Sequence, residues 1–152
     1  MSVPRREYWQ DRMRTELRGE GALAWASAEV LRRIGDGSVE APIEVSAGLR
    51  TAVSRPAVWQ AVPVFAVFEA AVREAWSAAF GRPTSPATFV LLESVAHRCR
   101  MPDAVRVAAH EVREARNGAV HDGVAGEFDL PAAKRALAVF VSWLPLDGGA
   151  GS

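Results

Sequence analysis

Apolar and polar residues recur along most of this chain with the three-to-four spacing of amphipathic helices. Over about Arg5 to Arg18 the rhythm is carried by Tyr8, Trp9, Arg12, Met13, Glu16 and Leu17, with Pro4 suited to a first turn. Gly19 and Gly21 predict an interruption. The pattern resumes over Ala22 to Ile34 through Leu23, Ala26, Val30, Leu31 and Ile34, and Gly35-Asp36-Gly37-Ser38 stops it. Val39 to Val45 is ambiguous, because Pro42 argues against helix while β-branched residues mildly favour a short extended piece. Ser46 to Ser54 reads as a short helix or turn, closed by Arg55-Pro56.

The strongest hydrophobic segment follows, Val58 to Phe80, with Val62, Phe65, Phe68, Val72 and Trp76 on its apolar side and Gly81 as the C′ residue. Pro63 marks its first turn or a kink near the start. Arg82 to Pro86 is a linker, and Ser85-Pro86 opens a helix from Ala87 to about Arg100 with Phe89, Leu92, Val95 and Ala96 expected inward. Met101-Pro102 breaks it, and Asp103 is expected to cap a helix from Ala104 to about Val120. After a loop through Phe128, Asp129 caps the last helix, Ala132 to Leu144, with Pro131 in its first turn. The expected fold class is all-α, a bundle of about five or six helices. Residues 58–145 are expected to form that bundle, 1–57 an N-terminal helical extension or added layer, and 146–152 a disordered tail.

Composition narrows the classes. At 152 residues the chain suffices for one continuous core, and 49% apolar with 24% charged residues is ordinary for a globular protein. Formal net charge is zero, so nucleic-acid binding would have to come from a local patch. A single cysteine, Cys99, excludes an intrachain disulfide. The charged N-terminus lacks the apolar core of a signal peptide, and the runs Ala61–Phe68 and Ala87–Leu92 are too short to span a bilayer, so a cytoplasmic protein without membrane contact is expected. There is no Gly-rich phosphate loop, zinc-ligand spacing, HExxH or G-x-S-x-G, so neither cofactor nor metal is implied.

Candidate chemistry concentrates in His110–Gly123. On a helical wheel Arg106, His110, Arg113, Arg116, Asn117 and His121 fall within roughly 140°, opposite Val105, Ala108, Val112, Ala115 and Ala119. A solvated face ordinarily mixes signs, whereas this one is almost purely cationic or imidazole. Asn117 and His121 are four apart and can touch; Arg116 and His121 are five apart, adjacent only if the helix is regular or loosens near Gly118. Histidine titrates near neutrality and arginine supplies fixed positive charge, so this face carries groups for acid–base chemistry and for binding an anion.

Arg116-Asn117-Gly118-Ala119-Val120-His121 has the form R-N-x-x-x-H and resembles the signature of the HEPN (higher eukaryotes and prokaryotes nucleotide-binding) superfamily. The setting is similar too: a core helix with an acidic residue (Glu69), the motif late in the penultimate helix, and a closing apolar helix, together covering about Val58 to Leu144. The resemblance implies a helical bundle that homodimerises and a metal-independent endoribonuclease of the toxin or phage-defence kind. Arg116 would bind the scissile phosphate, His121 would exchange protons with the 2′-hydroxyl or the leaving oxygen, and Asn117 would hold either partner, in a cleft composed of both protomers. Arg113, His110 and Arg106 would extend the RNA-binding face. An interaction module without catalysis, docking an antitoxin or a defence-complex protein, is the alternative.

Plainer readings stand beside these. Arg116 and His121 would serve as surface and helix-end charges, and His110 and Arg113 as solvated side chains. Glu69 would pair with an arginine, Cys99 is either inert or a thiol activated by neighbouring arginines, and the five tryptophans are core anchors or base-stacking groups.

Overall fold

A computed structural model describes residues 5–54, 57–81, 86–122 and 127–146, without the side chains of Glu20, Ala52, Ser54 and Asp122. Six helices pack as an all-α bundle: α1 (Arg5–Gly35), α2 (Ile43–Ser54), α3 (Ala57–Phe80), α4 (Thr88–Arg98), α5 (Asp103–Asn117) and α6 (Leu130–Ser142). No strand occurs among the described residues. α3 is the central element, in contact with α1, α4, α5 and α6. Its buried positions Val58, Ala61, Val64, Phe65, Phe68, Val72, Ala75 and Trp76 follow the helical repeat. Phe68 meets Phe65 at 5.4 Å and the edge of Phe140 from α6 at 5.3 Å between ring centroids. Leu91 and Leu92 of α4, with Leu137, Phe140 and Val141 of α6, complete a close-packed centre. Pro63 lies in the second turn of α3, which runs through it.

The first helix departs from expectation. Gly19 and Gly21 do not interrupt it; α1 is one element of 31 residues. Trp9 and Met13 enter the core, Leu17 packs against it, and Ala24, Ser27, Leu31 and Ile34 continue the same stripe at helical spacing. Both glycines lie off that stripe. Each costs about 1 kcal/mol of helix propensity, less than the burial of Trp9 and Met13 returns at roughly 1.5–3 kcal/mol per large side chain. The ambiguous Val39–Val45 is not a strand: Pro42 immediately precedes α2, and its carbonyl accepts from the N–H groups of Val45 and Ser46, each at 3.1 Å. α2 packs along α1.

Turn chemistry sets the remaining boundaries. Gly81, at φ 65°, ends α3 as the C′ residue, its N–H donating to Ser77 at 2.8 Å. Asp129 caps α6, its carboxylate accepting from Ala132 N–H at 2.9 Å. Asp103 does not cap α5 but lies inside its first turn, where a negative charge suits the helix dipole and meets Arg106 at 3.3 Å. Ser85 lies outside the described residues, and α4 has no side-chain cap. α4 and α5 join through Arg100, a non-glycine at φ 52°, while Met101 N–H donates to Ala96 at 2.9 Å and the Met101 side chain is buried. Leu144 and Leu146, beyond α6, are also buried, and residues 147–152 lie outside the described set. None of the described helices is long and apolar enough to cross a membrane.

Candidate functional site

α5 is built with two functional sides. Ala109 and Val112 are buried, and Val105 packs on the core. The neighbouring side, carrying Arg106, His110, Arg113 and Arg116, does not face open solvent along its whole length. It lies against α4, and its far end against α3.

Glu93 of α4 organises the first half. Its carboxylate accepts from Arg106 Nη1 at 2.8 Å and lies 2.7 Å from His110 Nε2. Arg113 Nε donates to His110 Nδ1 at 3.3 Å. With Nδ1 occupied as acceptor, the ring hydrogen sits on Nε2 and is donated to Glu93. The Arg106 guanidinium, followed by the His110 hydrogen bond, holds the Glu93 carboxyl below the usual carboxylate range, and Glu93 in turn raises Arg106. His110, expected on an RNA-binding face, is instead buried at 9% exposure. Arg106 is committed to Glu93 and Asp103, and Arg113 to Glu114 at 3.3 Å.

The second half differs. Arg116 is half-buried, with its guanidinium 5.8 Å from the centroid of Phe65 on α3. Its Nη1 donates to Asn117 Oδ1 at 2.8 Å, and its buried Nε has no acceptor among the described residues. No described carboxylate pairs with it. After Asn117 the backbone widens into a π turn, Gly118–Asp122. A regular α-helix would set Arg116 and His121 about 140° apart and not adjacent, contrary to expectation; the loosened end, with more residues per turn, reduces that angle. Ala119 stays buried at 1%, which anchors the turn to the bundle, while His121 is exposed. The π turn forms the C-terminal end of α5, where such turns commonly close helices.

Other sequence candidates resolve as packing. Glu69 pairs with Arg73 within α3 and accepts from Thr88 of α4 at 3.1 Å. Burial pushes the Cys99 thiol up, against the opposing effect of Arg98, so Cys99 is not an activated thiolate. Trp9 and Trp76 are buried, whereas Trp25 is 72% and Trp143 42% exposed. No three His, Cys, Asp or Glu side chains gather as metal ligands would among the described residues.

Phe89 corrects an expectation. It does not face the core but is 51% exposed, its ring 4.8 Å from the His110 ring and 5.4 Å from the Arg113 guanidinium. Its spacing carried the signal: Phe89 lies four residues before Glu93, on the side of α4 turned to α5, away from Leu91 and Val95. No family model matches the chain, and neither a curated protein nor a solved structure matches it.

Proposed function

We propose that this protein is a HEPN-like, metal-independent endoribonuclease, acting as a homodimer in a toxin or phage-defence setting. The observation that carries the reading is the contrast along α5. Arg106 and Arg113 are ion-paired, while Arg116 has no described carboxylate partner and precedes an exposed His121 on the π turn. In the reaction the RNA 2′-oxygen attacks the adjacent phosphorus and displaces the 5′-oxygen. The products are a 2′,3′-cyclic phosphate and a 5′-hydroxyl. Arg116 stabilises charge on the non-bridging oxygens. His121 accepts the 2′-hydroxyl proton or delivers one to the leaving oxygen, and a second protomer supplies the complementary group across a two-fold axis. Asn117 orients the Arg116 guanidinium through the hydrogen bond they share.

The test is cleavage of a mixed single-stranded RNA by the purified full chain in EDTA. His121→Ala and Arg116→Ala are expected to abolish cleavage with the circular dichroism spectrum unchanged. Cutting by His121→Ala at the parental rate would refute the mechanism.

A second reading has its own support. Glu93 pairs with Arg106 and Glu114 with Arg113, and formal net charge is zero, which suits an interaction module that docks an antitoxin or defence-complex protein. Growth arrest on expression, relieved by His121→Ala, favours the nuclease; arrest independent of His121 favours the module.

A further inference from the structure

We propose that Phe89 is a stacking platform for an RNA base next to the phosphate held by Arg116, an inference that rests on the ribonuclease reading. The core positions of α4 are Leu91, Leu92, Val95 and Ala96, and Phe89, in the first turn, stands beside them half exposed. The ring is nevertheless held in place. The His110 imidazole packs beside it at 4.8 Å, inclined by 41°, and the Arg113 guanidinium lies 5.4 Å from its centroid. Both supports are fixed from behind, His110 by Glu93 and Arg113 by His110 and Glu114. An aromatic ring braced by its neighbours and half open to solvent offers a base-stacking surface at little cost in conformational entropy.

The platform is also in the right place. Arg113 and Arg116 are three residues apart on α5, neighbours on one helix face about 4.5 Å apart along the axis. A base lying on Phe89, beside Arg113, would therefore sit one helical turn of α5 from Arg116, the guanidinium proposed to hold the adjacent phosphate. Stacking accepts any base, so the platform recognises single-stranded RNA as a class rather than a sequence.

The test uses the full chain carrying His121→Ala, so that RNA stays intact, and anisotropy of two labelled probes: a short oligoadenylate and an abasic ribose-phosphate oligomer of equal length. Phe89→Ala is expected to weaken the oligoadenylate about tenfold and leave the abasic oligomer unchanged. Phe89→Trp restores the oligoadenylate, and Phe89→Leu does not. Equal losses on both probes would make Phe89 a brace for the arginines and overturn the proposal, as would no loss on either. If the wild-type chain cuts RNA and Phe89→Ala cuts and binds like its parent, the platform fails and the nuclease stands. If the parent binds neither probe and the wild type cuts nothing, both fail.

Discussion

Replacing Gly19 and Gly21 together by alanine tests the feature in which α1 departs most from its sequence pattern. Both residues lie inside a continuous helix, and a Cβ added at either position meets nothing within 4 Å. Neither substitution therefore carries a steric penalty, and the helix-propensity difference is recovered almost whole. Glycine to alanine in an exposed helix interior is worth about 0.5–1 kcal/mol at each site, so the pair is expected to add about 1.5 kcal/mol, raising Tm by about 3–6 °C in a domain of this size. The assay is thermal and urea unfolding followed by circular dichroism at 222 nm. Alanine also narrows the unfolded ensemble, so a companion variant separates the two causes. Gly21→Pro, which removes a helical N–H and clashes with the preceding turn, should cost about 3 kcal/mol. An alanine pair that is neutral or destabilising, or a harmless proline, would refute the continuous helix and restore the break that the glycines suggest.

Two further outcomes follow from particular contacts. Glu93→Gln should lose about 1 kcal/mol, the value of a charge-assisted hydrogen bond to buried His110 discounted for the partial exposure of the carboxylate. Because the folded carboxyl is held below its ordinary range, its contribution is present above about pH 4.3 and disappears as pH falls through the lower folded value. The stability gap between wild type and Glu93→Gln, measured by urea melts from pH 7 to pH 3, should therefore close in acid; a constant gap would contradict this. Asp129→Ala removes the cap of α6 and should cost about 1 kcal/mol, whereas Asp129→Asn, which keeps an acceptor, should cost much less; equal losses would mean the cap bond does not hold the helix start.

The sequence was legible where one local rule governed. The apolar repeat of α3, the C′ role of Gly81 and the cap at Asp129 each follow from residues close together in the chain. It misled where tertiary packing outweighed local preference. Gly19 and Gly21 read as a break because propensity is local, yet Trp9 and Met13 bury themselves on one side of them and Ser27, Leu31 and Ile34 continue that stripe beyond. The candidate site shows the same division. The composition of the α5 face is visible in sequence, but its partner Glu93 is 17 residues from His110 and only folding brings them together. An almost purely cationic face on one helix thus becomes a mixed-sign network between two.

That network ends where it does because of register. α4 and α5 are antiparallel across the short turn at Arg100: Glu93 meets Arg106 and His110, while Phe89, one turn earlier, meets His110 and Arg113. A glutamate reaches two positions a turn apart, but Arg116 is six residues beyond His110, about 9 Å along the axis. The first turn of α4, Thr88 to Leu91, which precedes Glu93, carries no carboxylate. α3 offers Phe65 there, a ring and not an anion. Glu93 therefore pairs with Arg106 across the hairpin and Glu114 with Arg113 from within α5, and the guanidinium beside the π turn is left without a described anionic partner. The pairing of Glu93 with Arg106 and His110 also pins α5 against α4. A phosphodiester at this end of α5 would meet a guanidinium with no described anionic partner and an exposed imidazole, with the half-exposed ring of Phe89 across on α4.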